Sequence, residues 1–304
     1  SAIDCLTFAS PDFVPSGTQR PTMQTGLGEP DEWFKVLPDD DDFSEKSIID
    51  LSHLIPAPAG QFGFLQNDGK DLQFSNAVGP VKFWGVCGGP NRAYSREQLT
   101  QKIRLMRKHG INIVRQHPVT GVVGWLKNGR FDRERIDRFD WWFAELKKHG
   151  IYMTWSVFYP LRISEDSGYP RELLQELPRG SDGRYNTSGI VNFSRPLQDL
   201  QIEYVRRLLD HVNPYTGLAY KDDPALAVLE IHNEDCIFFH APLNDLTGDQ
   251  RWPRHTAMFQ KMWRDWAKDK YGTDAALRRA WGTDDSFSQD RFRPYGAWQM
   301  NHDR

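Results

Sequence analysis

The feature of this sequence that most constrains its fold is a short text that occurs twice, Lys108-His-Gly-Ile111 and Lys148-His-Gly-Ile151. Each copy follows a helix-like stretch and precedes an apolar, strand-like stretch, and the two copies are 40 residues apart. That spacing is about the size of one β-strand plus one helix, and Gly is the residue that most often ends a helix. The repeat therefore predicts successive βα units of a parallel sheet.

Helix signals stand between the predicted strands. Ser95 with Gln98 three residues later forms a capping box, and Asp132 and Ser194 begin two further stretches with helical apolar periodicity. The strands are short apolar runs, which is typical of parallel strands buried on both faces. We predict strands over 81–86, 111–114, 151–157 and within 225–235, three helices between them, and two further helices over 253–271 and 273–281.

Four units of this kind predict an α/β fold: a TIM-type (β/α)8 barrel of which this chain contains only the first four βα units. Asp68-Gly69 between two apolar runs is a hairpin signal, so a short β-rich lead-in precedes the barrel. We expect an extended, loop-rich segment over 1–50, the β-hairpin lead-in over 51–80 and the barrel half over 81–304.

Composition limits the classes of partner and cofactor. The 304 residues carry 38 Lys and Arg against 41 Asp and Glu, a net charge of −3, so neither nucleic acid nor an anionic membrane is expected as a partner. No signal peptide begins at Ser1 and no stretch has membrane-spanning length. Cys5, Cys87 and Cys236 have no zinc-ligand spacing and form no disulfide framework, although one bridge is possible. We expect no cofactor and no metal. The sequence does not determine where the protein is located, and a secreted or periplasmic location is the favoured expectation.

Polar side chains gather at the ends of two predicted strands. Arg115 and His117 share one face of the second strand by their alternation. Glu230, His232 and Glu234 alternate in the same way on the fourth strand. Cleavage of a glycosidic bond needs two carboxyl groups, one to protonate the leaving oxygen and one to attack or to activate water. Glu234 is a candidate for the first.

Several stretches carry a resemblance to a known family. They are Phe83-Trp-Gly-Val86, Asn112-Ile-Val-Arg115, Glu230-Ile-His-Asn-Glu234, Asn213-Pro-Tyr-Thr-Gly-Leu218 with Asp223-Pro-Ala-Leu226, and Lys270-Tyr-Gly-Thr273 through Arg279-Ala-Trp-Gly282. Over roughly residues 60–285 the chain resembles the clan A glycoside hydrolases, the cellulase-like (family five) (β/α)-barrel enzymes. The last two stretches resemble bacterial cellulase-like and β-galactosidase-like members.

The resemblance implies a retaining glycoside hydrolase acting on a β-linked oligo- or polysaccharide. Glu234, which follows Asn on the fourth strand, would be the general acid/base, and Asn233 would bind the sugar hydroxyl next to the anomeric carbon. Arg115 matches the family's second-strand Arg, which supports the nucleophile. That nucleophile is a Glu on the seventh strand, and no residue of this chain matches it. A complementary C-terminal fragment or another chain would complete the barrel.

Four more residues are expected near the substrate. We expect His117 and His232 to form hydrogen bonds in the cleft or the core. Trp155 and Tyr159, near the top of the third strand, are candidates for stacking on a sugar ring. The sequence departs from the family pattern on two strands. At the end of the third strand, Trp155-Ser-Val-Phe-Tyr159 stands where many relatives carry a His, and after the first strand Cys87 replaces the common Asn.

Three alternatives compete with this interpretation. Glu234 could form a structural ion pair with Arg115. A metal hydrolase could use His117 and His232 together with Asp235. The protein could also be a non-catalytic carbohydrate-binding or scaffold protein on an incomplete barrel, which the missing nucleophile favours.

Overall fold

The structure is a computed structural model, and it describes residues 49–123, 131–237, 246, 251–282, 284 and 286–287. The chain divides into two units, 1–42 and 43–304, and all described residues belong to the second. The loop-rich segment predicted over 1–50 lies outside the described residues except for its last two positions. The final stretch of the predicted barrel half, 288–304, lies outside them as well.

Strands and helices follow one another through the described residues, with eight strands and seven α-helices in that part of the chain. The strands are β1 (Leu65–Asn67), β2 (Leu72–Phe74), β3 (Gly85–Cys87), β4 (Ile113–Gln116), β5 (Tyr152–Phe158), β6 (Arg162–Ile163), β7 (Tyr185–Asn186) and β8 (Leu226–His232). The helices are α1 (Arg96–Lys108), α2 (Val119–Val123), α3 (Arg133–Lys148), α4 (Arg171–Leu174), α5 (Arg195–Asp210), α6 (Pro253–Tyr271) and α7 (Asp274–Trp281).

The sheet that positions the site consists of β3, β4, β5 and β8, paired in parallel and in that order. In register, Cys87 lies beside Arg115, Arg115 beside Thr154, and Ser156 beside Glu230. Helices connect each strand to the next, so the sheet has the topology of the first four βα units of a barrel. Within the described residues the sheet stays open. Its parallel strands with helices between them confirm the predicted α/β fold.

The helices begin where the sequence predicts. Ser95 Oγ accepts a hydrogen bond from the backbone N–H of Gln98 at 3.2 Å, and the Gln98 side chain accepts one from the N–H of Ser95 at 2.9 Å. At the start of α3, Asp132 Oδ1 accepts from the backbone N–H groups of Glu134 and Arg135. None of the helices in the described part of the chain has the length and apolar character needed to cross a membrane.

The repeated Lys-His-Gly-Ile text forms the same helix end twice. His109 and His149 each donate a hydrogen bond from Nδ1 to the carbonyl four residues earlier, both at 2.8 Å. Gly110 and Gly150 have φ of +76° and +79°, a region in which a side chain is strained. A Cβ atom on Gly150 would also lie 2.4 Å from the carbonyl oxygen of Pro56. The two copies of the repeat therefore share one requirement: where each helix ends before the next strand, the backbone needs a residue that can adopt positive φ.

The predicted hairpin precedes the sheet. β1 and β2 pair antiparallel, with Asn67 beside Leu72. Asp68 Oδ1 accepts hydrogen bonds from the N–H groups of Lys70 and Asp71, at 2.9 and 2.7 Å, which closes the turn between the strands. The hairpin is thus confirmed, whereas the domain boundaries proposed around it stay predictions.

The first parallel strand is shorter than predicted, because a side chain replaces part of its ladder. The prediction was a strand over 81–86, and β3 begins only at Gly85. Ahead of it, Asn112 accepts a hydrogen bond from the N–H of Trp84 at 2.8 Å and donates one to the carbonyl of Lys82 at 2.9 Å. The amide therefore holds this segment beside β4 without regular strand pairing.

Trp155 lies in the core between the sheet and the helices. Its side chain is 0% exposed, and its ring centroid lies 5.4 Å from that of Phe139 on α3 and 4.6 Å from that of Tyr220. Successive side chains alternate across a strand, so Trp155 points to the outer face while Ser156 points to the inner face. The prediction that Trp155 stacks on a sugar is therefore wrong.

Replacing Trp155 by Ala should lower the free energy of unfolding by about 3–5 kcal/mol, because the substitution leaves a cavity in the core. Trp84 is 68% exposed, so Trp84→Ala should change this free energy by only about 0.5 kcal/mol or less. Urea denaturation followed by circular dichroism measures both variants. An equal loss in the two would contradict the buried position of Trp155.

Candidate active site

Arg115 joins the polar ends of β4 and β8 on the inner face of the sheet. Its Nη2 donates hydrogen bonds to Glu230 Oε2 at 2.6 Å and to Asn233 Oδ1 at 2.8 Å, and its Nε donates to the same Glu230 oxygen at 3.2 Å. β5 lies between these strands, and its inner-face residues Thr154 and Ser156 are small. The guanidinium can therefore reach across β5.

Ser156 and His117 extend this cluster. His117 Nδ1 and Ser156 Oγ are hydrogen-bonded at 2.8 Å, and Ser156 also forms a hydrogen bond with Glu230. The ring of Tyr159 lies 5.2 Å from that of His117, centroid to centroid. Four predicted site residues are thus brought together: Arg115, His117, Tyr159 and Asn233. Sequence reasoning missed Ser156, although its alternation with Trp155 on the strand is a signal that could have revealed it.

Charge and burial set the protonation of the cluster. Burial raises the pKa of the Glu230 carboxyl, but hydrogen bonds from Arg115 and Ser156 outweigh it and hold that pKa below its usual value. The pKa of His117 is lowered, first by burial and then by the charge of Arg115. Glu230 is accordingly ionised and His117 neutral at pH 7. Because Arg115 pairs with Glu230, the alternative in which it pairs with Glu234 is wrong.

Glu234 is exposed immediately beyond the end of β8. Among the described residues it is the only non-glycine with positive φ, +51°, a conformation that costs about 1–2 kcal/mol. Asp235 anchors this turn: its Oδ1 accepts a hydrogen bond from the N–H of Gly189 at 2.6 Å, and its carbonyl accepts one from Asn192 at 3.3 Å. Within the described residues no hydrogen bond or ion pair engages the Glu234 carboxylate.

His232 lies apart from the hydrogen bonds of Arg115. Its ring packs on Phe158, with centroids 5.4 Å apart, and it lines a groove of about 1120 Å³ between β8 and α5 that Glu234 also borders. Its Nδ1 is 3.8 Å from Asp235 Oδ2, too far for a hydrogen bond, and burial lowers the pKa of the ring. A role for His232 in substrate binding stays a prediction.

The described residues contain no group of three or more His, Cys, Asp or Glu that could hold a metal ion. His117 is engaged with Ser156, and Asp235 with the backbone of Gly189, so the alternative of a His-His-Asp metal site finds no support in this part of the chain. Cys87 and Cys236 are exposed free thiols, and Cys5 lies outside the described residues.

Replacing Arg115 by Met should raise the pKa of His117, because it removes a nearby positive charge and leaves the Glu230 carboxylate unpaired beside the imidazole. A ¹H–¹⁵N NMR titration of the histidine rings measures this change. Arg96→Met, which breaks an exposed ion pair with Asp137, is the matched control and should leave the titration of His117 unchanged. An unaltered His117 titration in Arg115→Met would contradict the electrostatic coupling within the cluster.

Comparison with known proteins identifies the family. The sequence profile of glycoside hydrolase family 42, described as β-galactosidase, matches residues 90–293, about two thirds of the chain. Mannan endo-1,4-beta-mannosidase 3 of rice (Oryza sativa subsp. japonica) is 29% identical over 108 residues, which cover 35% of this chain and 22% of that protein. Mannan endo-1,4-beta-mannosidase 2 of rice is 27% identical over 139 residues, which cover 45% of this chain and 29% of that protein. The chain therefore spans less than a third of the length of these relatives.

Solved structures of similar proteins include the endo-1,4-beta-mannanase from Rhizomucor miehei, with 16% identity, a TM-score of 0.39 and coverage of 72% of this chain and 58% of that one. The beta-galactosidase from the psychrophilic Marinomonas ef1 has 18% identity, a TM-score of 0.40 and coverage of 66% of this chain and 27% of that one. The family match spans well over half of the chain and includes the Asn233-Glu234 strand end. The chain thus belongs to glycoside hydrolase family 42, the β-galactosidase family of clan A, which confirms the predicted resemblance.

Proposed function

We propose that this chain provides the acid/base half of the active site of a retaining glycoside hydrolase that acts on a β-linked glycan. Glu234 is the general acid/base, and Asn233 holds the sugar. The carboxylate that attacks the sugar comes from barrel strands that pair with this half.

The observation that carries the proposal is the state of Glu234. A free, exposed carboxylate stands at the C-terminal end of a parallel strand, where barrel enzymes build their sites. Its backbone is in the left-handed region, and the buried side chain of Asp235 holds the turn that follows. Backbone strain of this kind persists where surrounding structure fixes it, and it concentrates at functional positions.

Arg115 supports the role of Asn233. Because Asn233 Oδ1 accepts a hydrogen bond from Arg115, the amide is oriented so that its Nδ2 group remains available as a donor. Such a donor suits the sugar hydroxyl next to the anomeric carbon. His117 and Tyr159 flank the same inner face and present ring surfaces to a sugar.

The chemistry follows in two steps. Glu234, protonated, donates its proton to the glycosidic oxygen while the bond from the anomeric carbon to that oxygen breaks and the nucleophile carboxylate bonds to the carbon. Glu234, now ionised, then takes a proton from water, whose oxygen displaces the nucleophile and restores the starting configuration. Retention requires the two carboxyl groups to lie about 5–5.5 Å apart in the complete enzyme.

A complementary C-terminal fragment or another chain completes the barrel. Both edges of the open sheet carry exposed apolar side chains: Trp84 is 68% exposed beside β3, and Val228 and Ile231 are 43% and 41% exposed on β8. Unpaired strand edges and apolar surface favour association with further strands. The groove between β8 and α5 provides room for the next unit of such a barrel.

The relatives support a β-linked substrate. The rice proteins are named for mannan endo-1,4-β-mannosidase activity and the family for β-galactosidase, and both names denote cleavage of β-glycosidic bonds. The substrate of this protein is therefore a β-linked oligo- or polysaccharide. The competing proposal, a non-catalytic carbohydrate-binding scaffold, predicts binding of the same glycan without cleavage.

Replacing Glu234 by Gln in the complete enzyme should lower kcat on β-glycosides with poor leaving groups by about 10²–10⁴-fold, because general acid catalysis is lost. The decrease in the rate of the first chemical step should be much smaller for a dinitrophenyl β-glycoside, because its leaving group needs no proton. Glycan affinity should change little. Steady-state and single-turnover kinetics give these values.

Glu172→Gln on α4 is the matched control, since Glu172 is also exposed and lies outside the cluster. It should retain full activity. Undiminished turnover in Glu234→Gln would contradict the role proposed for Glu234. Glycan binding without turnover in the parent enzyme would favour the non-catalytic carbohydrate-binding scaffold.

A further inference from the structure

A second pocket opens beside the candidate active site and is lined by three arginines. It has a volume of about 460 Å³ and lies between the loop after β3, helix α2 and the first two turns of α3. Its arginines are Arg92 on the loop and Arg135 and Arg138 on α3. The remaining lining residues are Gly89, Pro90, Asn91, Gly121 and Val122.

The two arginines of α3 are held in place by neutral acceptors. Arg138 donates from Nε to the carbonyl of Pro90 at 2.9 Å and from Nη2 to the carbonyl of Asn91 at 2.6 Å. Arg135 donates from Nε to the carbonyl of Val122 at 2.7 Å and from Nη2 to that of Gly121. Hydrogen bonds to carbonyls fix both guanidinium groups without cancelling their charge, and each Nη1 group remains for another acceptor.

No carboxylate of the described residues forms an ion pair with Arg92, Arg135 or Arg138. The nearby Asp132 is engaged in capping α3 through its Oδ1. The pKa of Arg135 is lowered, first by burial and then by the charge of Arg92, and the charge of Asp132 offsets this lowering only in part.

Some other arginines of the fold are paired with carboxylates. Arg96 pairs with Asp137 at 2.8 Å, and Arg162 pairs with Asp182 at 2.9 Å. This pocket is distinguished by three guanidinium groups around one cavity, none of them in an ion pair with a described residue. Guanidinium is the side chain best suited to bind carboxylate and sulfate oxygens, because its donors form a planar fork that matches two oxygens.

The position and size of the pocket indicate that the anion is carried by a sugar. The loop after β3 and helix α2 after β4 stand on the same rim of the sheet as Arg115 and Asn233, so a glycan in the active site can extend over the pocket. The volume of about 460 Å³ equals roughly fifteen water molecules, more than a bare oxyanion needs.

We propose that this arginine pocket is a subsite for an anionic group, a uronate carboxylate or a sulfate ester, on the glycan that the enzyme binds. The inference rests on the proposed glycoside hydrolase function for its ligand, but the pocket itself is independent of Glu234. The pocket would select substrates that carry a negative charge some distance from the bond that is cleaved.

Binding of four small probes to the 304-residue chain tests the proposal by isothermal titration calorimetry at low salt. They are methyl β-glucuronide, the 6-sulfate of methyl β-galactoside, neutral methyl β-galactoside and inorganic sulfate. We expect at least one anionic sugar to bind at least 10-fold more tightly than the neutral sugar and than inorganic sulfate. Added salt should reduce this preference, because the attraction is between charges near solvent.

Arg92 offers the cleanest variant, since its exposed side chain makes no hydrogen bond with any described residue and its loss should not disturb folding. Arg92→Gln should remove most of the preference for the anionic sugar, and Arg92→Glu should abolish it. Arg133→Gln is the matched control: Arg133 is exposed on the same helix but borders a different groove, so the preference should persist.

Three results would overturn the proposal: equal affinity for neutral and anionic sugars, an unchanged preference in Arg92→Glu, or inorganic sulfate bound as tightly as the tighter-binding of the two anionic sugars, which would indicate a site for free anions. Glu234→Gln should retain the preference for anionic sugars. If Glu234→Gln abolishes turnover in the complete enzyme but leaves the preference of the 304-residue chain intact, the catalytic proposal and the subsite proposal are tested separately.

Discussion

The ion pair between Arg115 and Glu230 is the interaction on which the site depends. It joins two strands that are not neighbours, because β5 lies between β4 and β8. The small Ser156 on the inner face of β5 leaves room for the guanidinium and contributes a hydrogen bond to Glu230. The same Arg115 orients Asn233 at the end of β8. The side chain of Arg115 thus links β4, across β5, to the residue that precedes Glu234.

The two glutamates at this end of β8 differ in their surroundings. Hydrogen bonds hold the pKa of Glu230 below its usual value and keep its carboxyl ionised. Glu234, four residues later, escapes that pairing because the chain turns at the end of β8 and Asp235 fixes the turn. A carboxylate that is free of fixed partners can exchange a proton with substrate and water, which is what an acid/base catalyst requires.

Local signals in the sequence predicted most of the fold. Caps at Ser95 and Asp132 and the glycines after the two His residues act within a few residues, so they mark helix ends reliably. Contacts between distant strands were harder to predict. The partner of Arg115 depends on strand register across the sheet. The burial of Trp155 depends on which strand face packs against α3, and an aromatic side chain suits either a core or a cleft. The φ of Glu234 depends on the segment that binds Asp235.

The central claim is that the acid/base and the nucleophile of one retaining site lie on opposite halves of a barrel. Intact-mass and peptide mass spectrometry of the complete enzyme tests it after incubation with 2-deoxy-2-fluoro β-glycosides of galactose, mannose and glucose configuration, each with a good leaving group. Such reagents trap the glycosyl-enzyme by slowing its hydrolysis. The account predicts one covalent sugar on a carboxylate of the completing half and none on Glu234. A sugar attached to Glu234, or turnover of every reagent without a trapped intermediate, would contradict it.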